Sequence, residues 1–247
     1  VMNGGTLSLS GGLFTATQAY SVSYQGSTAA TVGLEASGSG LTGIEVNLDN
    51  SGTTVMLGGD VNLNGDLTIT QGTVAIGNNS LTVNGIIDAT ANGSIDVSAG
   101  STLAVSTSGS GTIDLNFASS PATIGTLSIS AGSNASASLN GDLIVDTEFN
   151  LSSGTFSLNG NSLSVNGDFN GSGEFEASAG SSISISGNGS VQGGLIFAAG
   201  GQSMGDVTIN LTNGQSIDLG GNAAVTGSFD FQNGTIDLQS GSALSLD

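Results

Sequence analysis

The stretch Asp66-Leu67-Thr68-Ile69-Thr70-Gln71-Gly72-Thr73-Val74-Ala75-Ile76-Gly77-Asn78-Asn79-Ser80-Leu81-Thr82-Val83 sets apolar residues two apart three times over: Leu67 and Ile69, Val74 and Ile76, Leu81 and Val83. Alternation with period two marks strands buried on one side, and the intervening Gly and Asn residues leave room only for short strands joined by tight corners. Ile95-x-Val97 and Leu103-x-Val105 repeat the pattern. No stretch shows a helical period. Asn-Gly follows at Asn64, Asn84, Asn92, Asn140, Asn159, Asn166, Asn170, Asn188, Asn213 and Asn233, and both residues tolerate the positive φ of a sharp corner. Asn-Gly also suits two-residue hairpins, so the corners alone allow an antiparallel meander.

The longer spacing decides against hairpins. One apolar column runs Leu57, Ile76, Val97, Phe117, Leu139, Leu158, Ala177, Phe197, Leu219 and Leu238, each step close to a fifth of a hundred positions long. A second runs Leu63, Val83, Val105, Ile124, Val145, Val165, Ile185, Met204, Val225 and Leu246, and a third, less regular, passes Ile69, Ala89, Ile129, Leu151, Val191, Leu211 and Phe231. Three strands recurring every ~20 residues describe a coil whose turns stack at the strand spacing of ~4.8 Å. The expected fold is all-β, a right-handed parallel β-helix (β-solenoid) of about 12 three-strand coils of ~20 residues, roughly 58 Å long. The variable coil length favours the right-handed form over the stricter hexapeptide rhythm of the left-handed one.

A second period lies above the coil. Gly72-Thr73-Val74-x-Ile76, Gly154-Thr155-Phe156-x-Leu158 and Gly234-Thr235-Ile236-x-Leu238 recur at offsets of 82 and 80. The set Val32, Leu34, Leu41, Ile44, Val46 reappears as Leu115, Phe117, Ile124, Leu127, Ile129 and as Leu195, Phe197, Met204, Val207, Ile209, at offsets of 83 and 80. The chain therefore reads as one domain, 1–247, built from repeating units of four coils, each ~81 residues long. Their approximate bounds are 43–124, 125–204 and 205–247, the last completed by 1–42 of a neighbouring copy. Met2 and Leu246 both map onto Val165, so the repeat resumes at the start of the chain where it stops at the end.

Composition removes most chemistry. The 247 residues include 42 Gly and 19 Asp+Glu but no Lys, Arg, His, Cys or Trp, for a net charge of −19. Such a chain is repelled by phosphate backbones and anionic lipid, so nucleic acid is excluded as a partner. Apolar runs fall far short of a membrane span, and no basic and apolar leader opens the chain, so the reading for an exported protein is one whose signal has been removed. The usual bases and nucleophiles are missing, and so are the ligands for zinc, iron–sulfur and haem. The 37% hydrophobic content and its regular spacing argue against disorder.

Calcium alone remains as a cofactor suited to oxygen ligands. The candidate ligands are Asp218 and Asp237, at equivalent positions one coil apart, and Glu174 and Glu176, flanking Phe175; Asp142, Asp146 and Glu148 also cluster near a turn. A Gly-Gly-x-Gly-x-Asp calcium rhythm is absent, and the main reading of the acids is a solvated face that keeps rods soluble. Paired carboxylates also serve glycosidases on β-helices, but aromatics make up only 4% of the chain, mostly inward Phe. No enzyme is expected. An ice-binding Thr array fails because Thr68 and Thr70 are succeeded in their column by Asp88 and Thr90, then by Ser and Asn. Outward Ser, Thr and Asn instead form ladders that reinforce stacking.

The run 205–238, GDVTINLTNGQSIDLGGNAAVTGSFDFQNGTIDL, and its counterpart 57–74, LGGDVNLNGDLTITQGTV, resemble the β-solenoid repeats of bacterial secreted proteins, notably surface adhesins and extracellular filament proteins of Bacteroidota. The resemblance covers essentially the whole chain and implies an extracellular or cell-surface location.

Solenoid ends carry unpaired backbone groups, which soluble solenoids cover with caps or guard with Lys and Pro. Here the single Pro, Pro121, is internal and there is no Lys. Either irregular segments around Ala16 to Tyr20 cover the ends, or other copies do. Head-to-tail contacts that do not close give filaments, and the expected polymer interface is Met2, Leu7, Leu9, Ile236, Leu238, Leu244 and Leu246. The sequence thus points first to a secreted structural subunit of a biofilm matrix or surface appendage, with an adhesin stalk or passenger segment as the alternative and a polysaccharide-active enzyme third. Lateral bundling of rods at −19 per copy needs salt or divalent cations.

Overall fold

A computed structural model describes residue 16 and residues 18–186, 189–200, 202–212 and 214–247. It is a β-solenoid of about ten turns, all of whose strand pairs are parallel. A three-residue 3-10 segment at Leu34–Ala36 is the one helical piece among the described residues.

Three faces form at once from the stretch that opened the sequence. Leu67 and Ile69 pair with Ile44 and Val46 behind and with Ile87 and Ala89 ahead. Val74 lies between Val55 and Ile95 on the second face, and Leu81 between Val61 and Leu103 on the third. Each strand therefore meets its own sequence position one turn later. The ladder satisfies backbone donors and acceptors that the packed interior would otherwise strand. Inward side chains such as Val46, Ile69 and Ile76 are fully buried, and each contributes roughly 1.5–3 kcal/mol. Midway along the rod the core becomes aromatic. Phe149 and Phe169 stack with ring centroids 5.8 Å apart, and Phe156 meets Phe175 edge-on at 6.0 Å.

The corner that leads into each Gly-Thr-apolar strand needs glycine for two reasons. Gly72, Gly154 and Gly234, the heads of the Gly-Thr-apolar repeat, have φ of +109°, +84° and +105°. A Cβ there would also lie 2.7 Å from Leu48, 2.5 Å from Ala131 and 2.8 Å from Leu211. Asparagine ladders recur with the same period. Asn79 Nδ2 donates to the carbonyls of Leu57 (3.0 Å) and Ile76 (3.1 Å), and Asn161 Nδ2, one unit later, to those of Leu139 (2.8 Å) and Leu158 (3.0 Å).

The columns expected from spacing hold over several turns, as from Val145 through Val165 to Ile185, and then break. Val105 continues to Ile129 rather than Ile124, and Ile185 to Ile209 rather than Met204. Likewise Leu139 follows Leu115, Leu219 follows Leu195, and Phe117 bridges Ile95 rather than Val97. In the third column Val191 follows Phe169 and Phe231 follows Ile209.

The cause is one long turn per unit, pinched at glycine. The N–H of Gly125 donates to the carbonyl of Ser101 at 3.1 Å, and that of Gly205, its counterpart in the next unit, to the carbonyl of Ser181 at 2.8 Å. A Cβ at Gly125 would sit 2.5 Å from the Ala99 carbonyl oxygen, and one at Gly205 2.9 Å from that of Ala179. The pairings from Thr126 to Val207 pass eleven strand positions, not twelve. One repeating unit thus makes three and two-thirds turns instead of four, and the next unit starts one face further round. Spread over ten turns, the chain from Tyr20 to Ala243 spends more of its length on each turn than the apolar spacing implies. The expected twelve coils are reckoned over all 247 residues, and the ten turns span the described residues alone; the longer mean turn accounts for the rest of the difference.

Candidate assembly surface

The strands Phe229–Asn233, Thr235–Leu238 and Ala243–Leu246 form the last turn. On one side they pair with the turn before: Ile209 with Phe231, Leu219 with Leu238 and Val225 with Leu246. On the other side no strand among the described residues meets them. Phe231, Leu238 and Leu246 are 44%, 55% and 63% exposed, whereas their partners Ile209, Leu219 and Val225 are 0%, 1% and 0% exposed. All three columns are therefore buried at the penultimate turn and open on the last. Ile236 and Leu244 are half-buried and packed against the core. Four of the seven expected interface residues, Ile236, Leu238, Leu244 and Leu246, thus lie together on this edge; Met2, Leu7 and Leu9 lie outside the described residues. Phe231, which spacing placed only in a column, belongs to the same open edge.

The apolar side chains of the first described turn are covered by contrast. Val22, Tyr24, Ala30 and Val32 are buried. Inside this end Glu35, 4% exposed, accepts from the Tyr24 hydroxyl at 2.6 Å and the Gly33 N–H at 2.8 Å through Oε1. The Tyr20 hydroxyl donates to the Glu35 carbonyl at 2.8 Å and accepts from the Gly38 N–H at 3.2 Å. Burial, and then the neighbouring Glu35 carboxyl, holds the Tyr24 hydroxyl far above its ordinary pKa, so it stays a donor. Apolar spacing carries no sign of this knot, because Tyr20 and Glu35 stand outside the apolar columns.

Five of the acids do more than face solvent. Each of the five Gly-Asp-apolar triplets in the chain, at Asp60, Asp66, Asp142, Asp168 and Asp206, uses the carboxylate as a staple to the next turn. Their Oδ1 atoms accept the backbone N–H of Ser80, Ile86, Ser162, Ser190 and Ser228, at 2.8, 2.9, 2.8, 2.5 and 2.7 Å. The Ser228 hydroxyl also donates to Asp206 at 2.9 Å, and these two bonds lower the Asp206 pKa. Asp114 goes the other way, raised by burial and by the charge of Asp88.

The calcium candidates remain two separate pairs. Asp218 and Asp237 are ladder partners, with Gln239 Nε2 donating to Asp218 at 3.3 Å. Glu174 and Glu176 project on either side of buried Phe175, opposite Thr155 and Ser157. Among the described residues no three carboxylates gather into a metal-binding group. A groove of about 520 Å³ runs beside Gly171, Gly193 and Gln192, with Asp218 as its single carboxylate. It has no aromatic platform and no second acid for a paired-carboxylate mechanism. No helix among the described residues is long and apolar enough to cross a membrane. Comparison with known protein families, curated proteins and solved structures yields no match to this chain.

Proposed function

We propose that the chain is a secreted structural subunit whose open last turn stacks against another copy, building an extracellular filament of a biofilm matrix or surface appendage. The observation that carries this reading is the open edge of Phe231, Leu238 and Leu246, whose partners one turn back are buried. A further parallel turn laid on this edge would hydrogen-bond the free side of three strands and cover the apolar residues together. Edges of this kind are guarded by Lys, Pro or a cap where association is to be avoided. The resemblance to bacterial secreted solenoids supports the location.

The same edge would be met by a continuation of the solenoid in an adhesin stalk, which is the second reading. Electron microscopy of the purified chain over a concentration series, with and without calcium, separates the two. The filament reading expects unbranched rods that lengthen with concentration, with an axial repeat near 50 Å for ten to eleven turns at ~4.8 Å. Leu238→Asp combined with Leu246→Asp is expected to leave single short rods with unchanged circular dichroism. Isolated particles one chain long at every concentration would overturn it and favour the stalk.

A further inference from the structure

The Asn-Gly corners are not chemically equal. In most of those described the Asn side-chain amide is pinned across a turn. Asn64 Nδ2 donates to the Ser39 carbonyl at 2.9 Å, Asn84 to Asn62 at 3.0 Å, Asn166 to Asp146 at 2.9 Å and Asn170 to Glu148 at 3.0 Å, and Asn159 to Ser138 at 2.5 Å. At Asn233 the arrangement is reversed. Its Oδ1 accepts the N–H of the very next residue, Gly234, at 3.0 Å, and among the described residues no bond ties its Nδ2 to another turn. The side-chain amide is thus folded onto the main-chain nitrogen that follows it. Gly234 has no side chain to obstruct that approach, and its φ of +105° takes the chain out of strand geometry.

We propose that Asn233-Gly234 is a site of spontaneous deamidation, a chemical modification built into the open edge. The Gly234 nitrogen, giving its proton to solvent base, bonds to Asn233 Cγ. Nδ2 takes a proton from solvent, the Cγ–Nδ2 bond breaks, ammonia leaves, and a five-membered imide remains. Water then opens the imide. Cleavage of the bond to Cγ leaves aspartate at position 233, and cleavage of the original main-chain bond leaves isoaspartate, with the chain now running through the side chain. Either product adds a negative charge to the last turn, which already carries Asp230 and Asp237. The isoaspartyl form also lengthens the strand at the point where the Asn233 carbonyl accepts the Leu211 N–H at 3.0 Å.

Two other described corners have unpinned side chains, and they supply the internal controls. At Asn92 the attacking nitrogen is already committed, since the Gly93 N–H donates to the Thr90 carbonyl at 2.9 Å. At Asn140 no contact brings the side chain onto Gly141.

The test is incubation of the purified chain at mildly alkaline pH, followed by digestion at acidic residues and site-resolved mass spectrometry that separates aspartate from isoaspartate. Position 233 is expected to convert at least about fivefold faster than the pinned asparagines, which must first give up a hydrogen bond, and faster than Asn92 and Asn140. Asn233→Gln should abolish conversion at that position without changing it elsewhere. Equal rates at pinned and unpinned corners, or a faster Asn140, would overturn the proposal. Because the rate is read on dispersed chains, the outcome does not depend on whether filaments form.

Discussion

Asp206 shows how much one carboxylate does in a chain without cations. Its charge is met by the N–H and hydroxyl of Ser228 one turn on, and hydrogen bonds to the ionised form lower a carboxyl pKa. A folded pKa below the ordinary value of 3.8 means that the staple's stabilisation is fully present above that value. It is lost as pH falls through the lower folded value. Asp206→Asn should therefore lower the melting temperature at neutral pH, and the gap from the parent chain should close as pH falls below the ordinary value and through the lowered folded one. Asp114 carries the opposite sign. Its raised pKa makes ionisation costly in the fold, so its cost appears as pH rises through the folded value. Asp114→Asn should leave neutral-pH stability unchanged or improved. Melting curves of both variants across pH check the pair, and a parallel response in the two would refute the assignment of opposite signs. The Gly-Asp-apolar triplet is plain in the sequence, yet apolar periodicity says nothing of it, because the bond runs from a side chain to a backbone group one turn away.

Among the elements, the corner glycines are where sequence and structure agree most closely. Gly154 is required by both its φ of +84° and the 2.5 Å approach of Ala131. Gly154→Ala is expected to cost about 1–3 kcal/mol, the range for backbone strain at such a position, as read by denaturant unfolding. Gly59, which has no neighbour within 4 Å of a would-be Cβ and no positive φ, provides the control, and Gly59→Ala should change little. Strands, corners and parallel stacking were all legible from Leu67-x-Ile69, Val74-x-Ile76 and Leu81-x-Val83. The step between faces was not, for a definite reason. Val105 finds an apolar residue 19 positions on, at Ile124, and another 24 positions on, at Ile129, and both are inward and buried. Spacing favours the first, whereas the pinch at Gly125 delivers the second.

For the molecule as a whole the dominant electrostatic fact is a charge of −19 with no cation to offset it. Self-repulsion opposes compaction and is screened within a Debye length of about 8 Å at 0.15 M salt. The melting temperature should therefore rise with sodium chloride from low salt to about 0.15 M, and the Asp206 staple should contribute to that rise only above its folded pKa. A melting temperature indifferent to salt would mean that the acids are already compensated locally. At this scale the open last turn was legible as a group of residues, Ile236 to Leu246, but the closed knot of Tyr20, Tyr24 and Glu35 was not. A polar plug leaves no trace in an apolar period.

The pinched long turn gives the rod a corkscrew of surface chemistry. Because each repeating unit hands its columns on by one face, no outward stripe of a given composition runs straight for more than one unit, roughly 18 Å at ~4.8 Å per turn. Stacked planks need one matching side along their whole length, and a threaded rod has none. A long rod on this plan would present three equivalent flanks, bend with equal ease in every direction, and offer a flat crystal or a neighbouring rod only short, interrupted patches to grip.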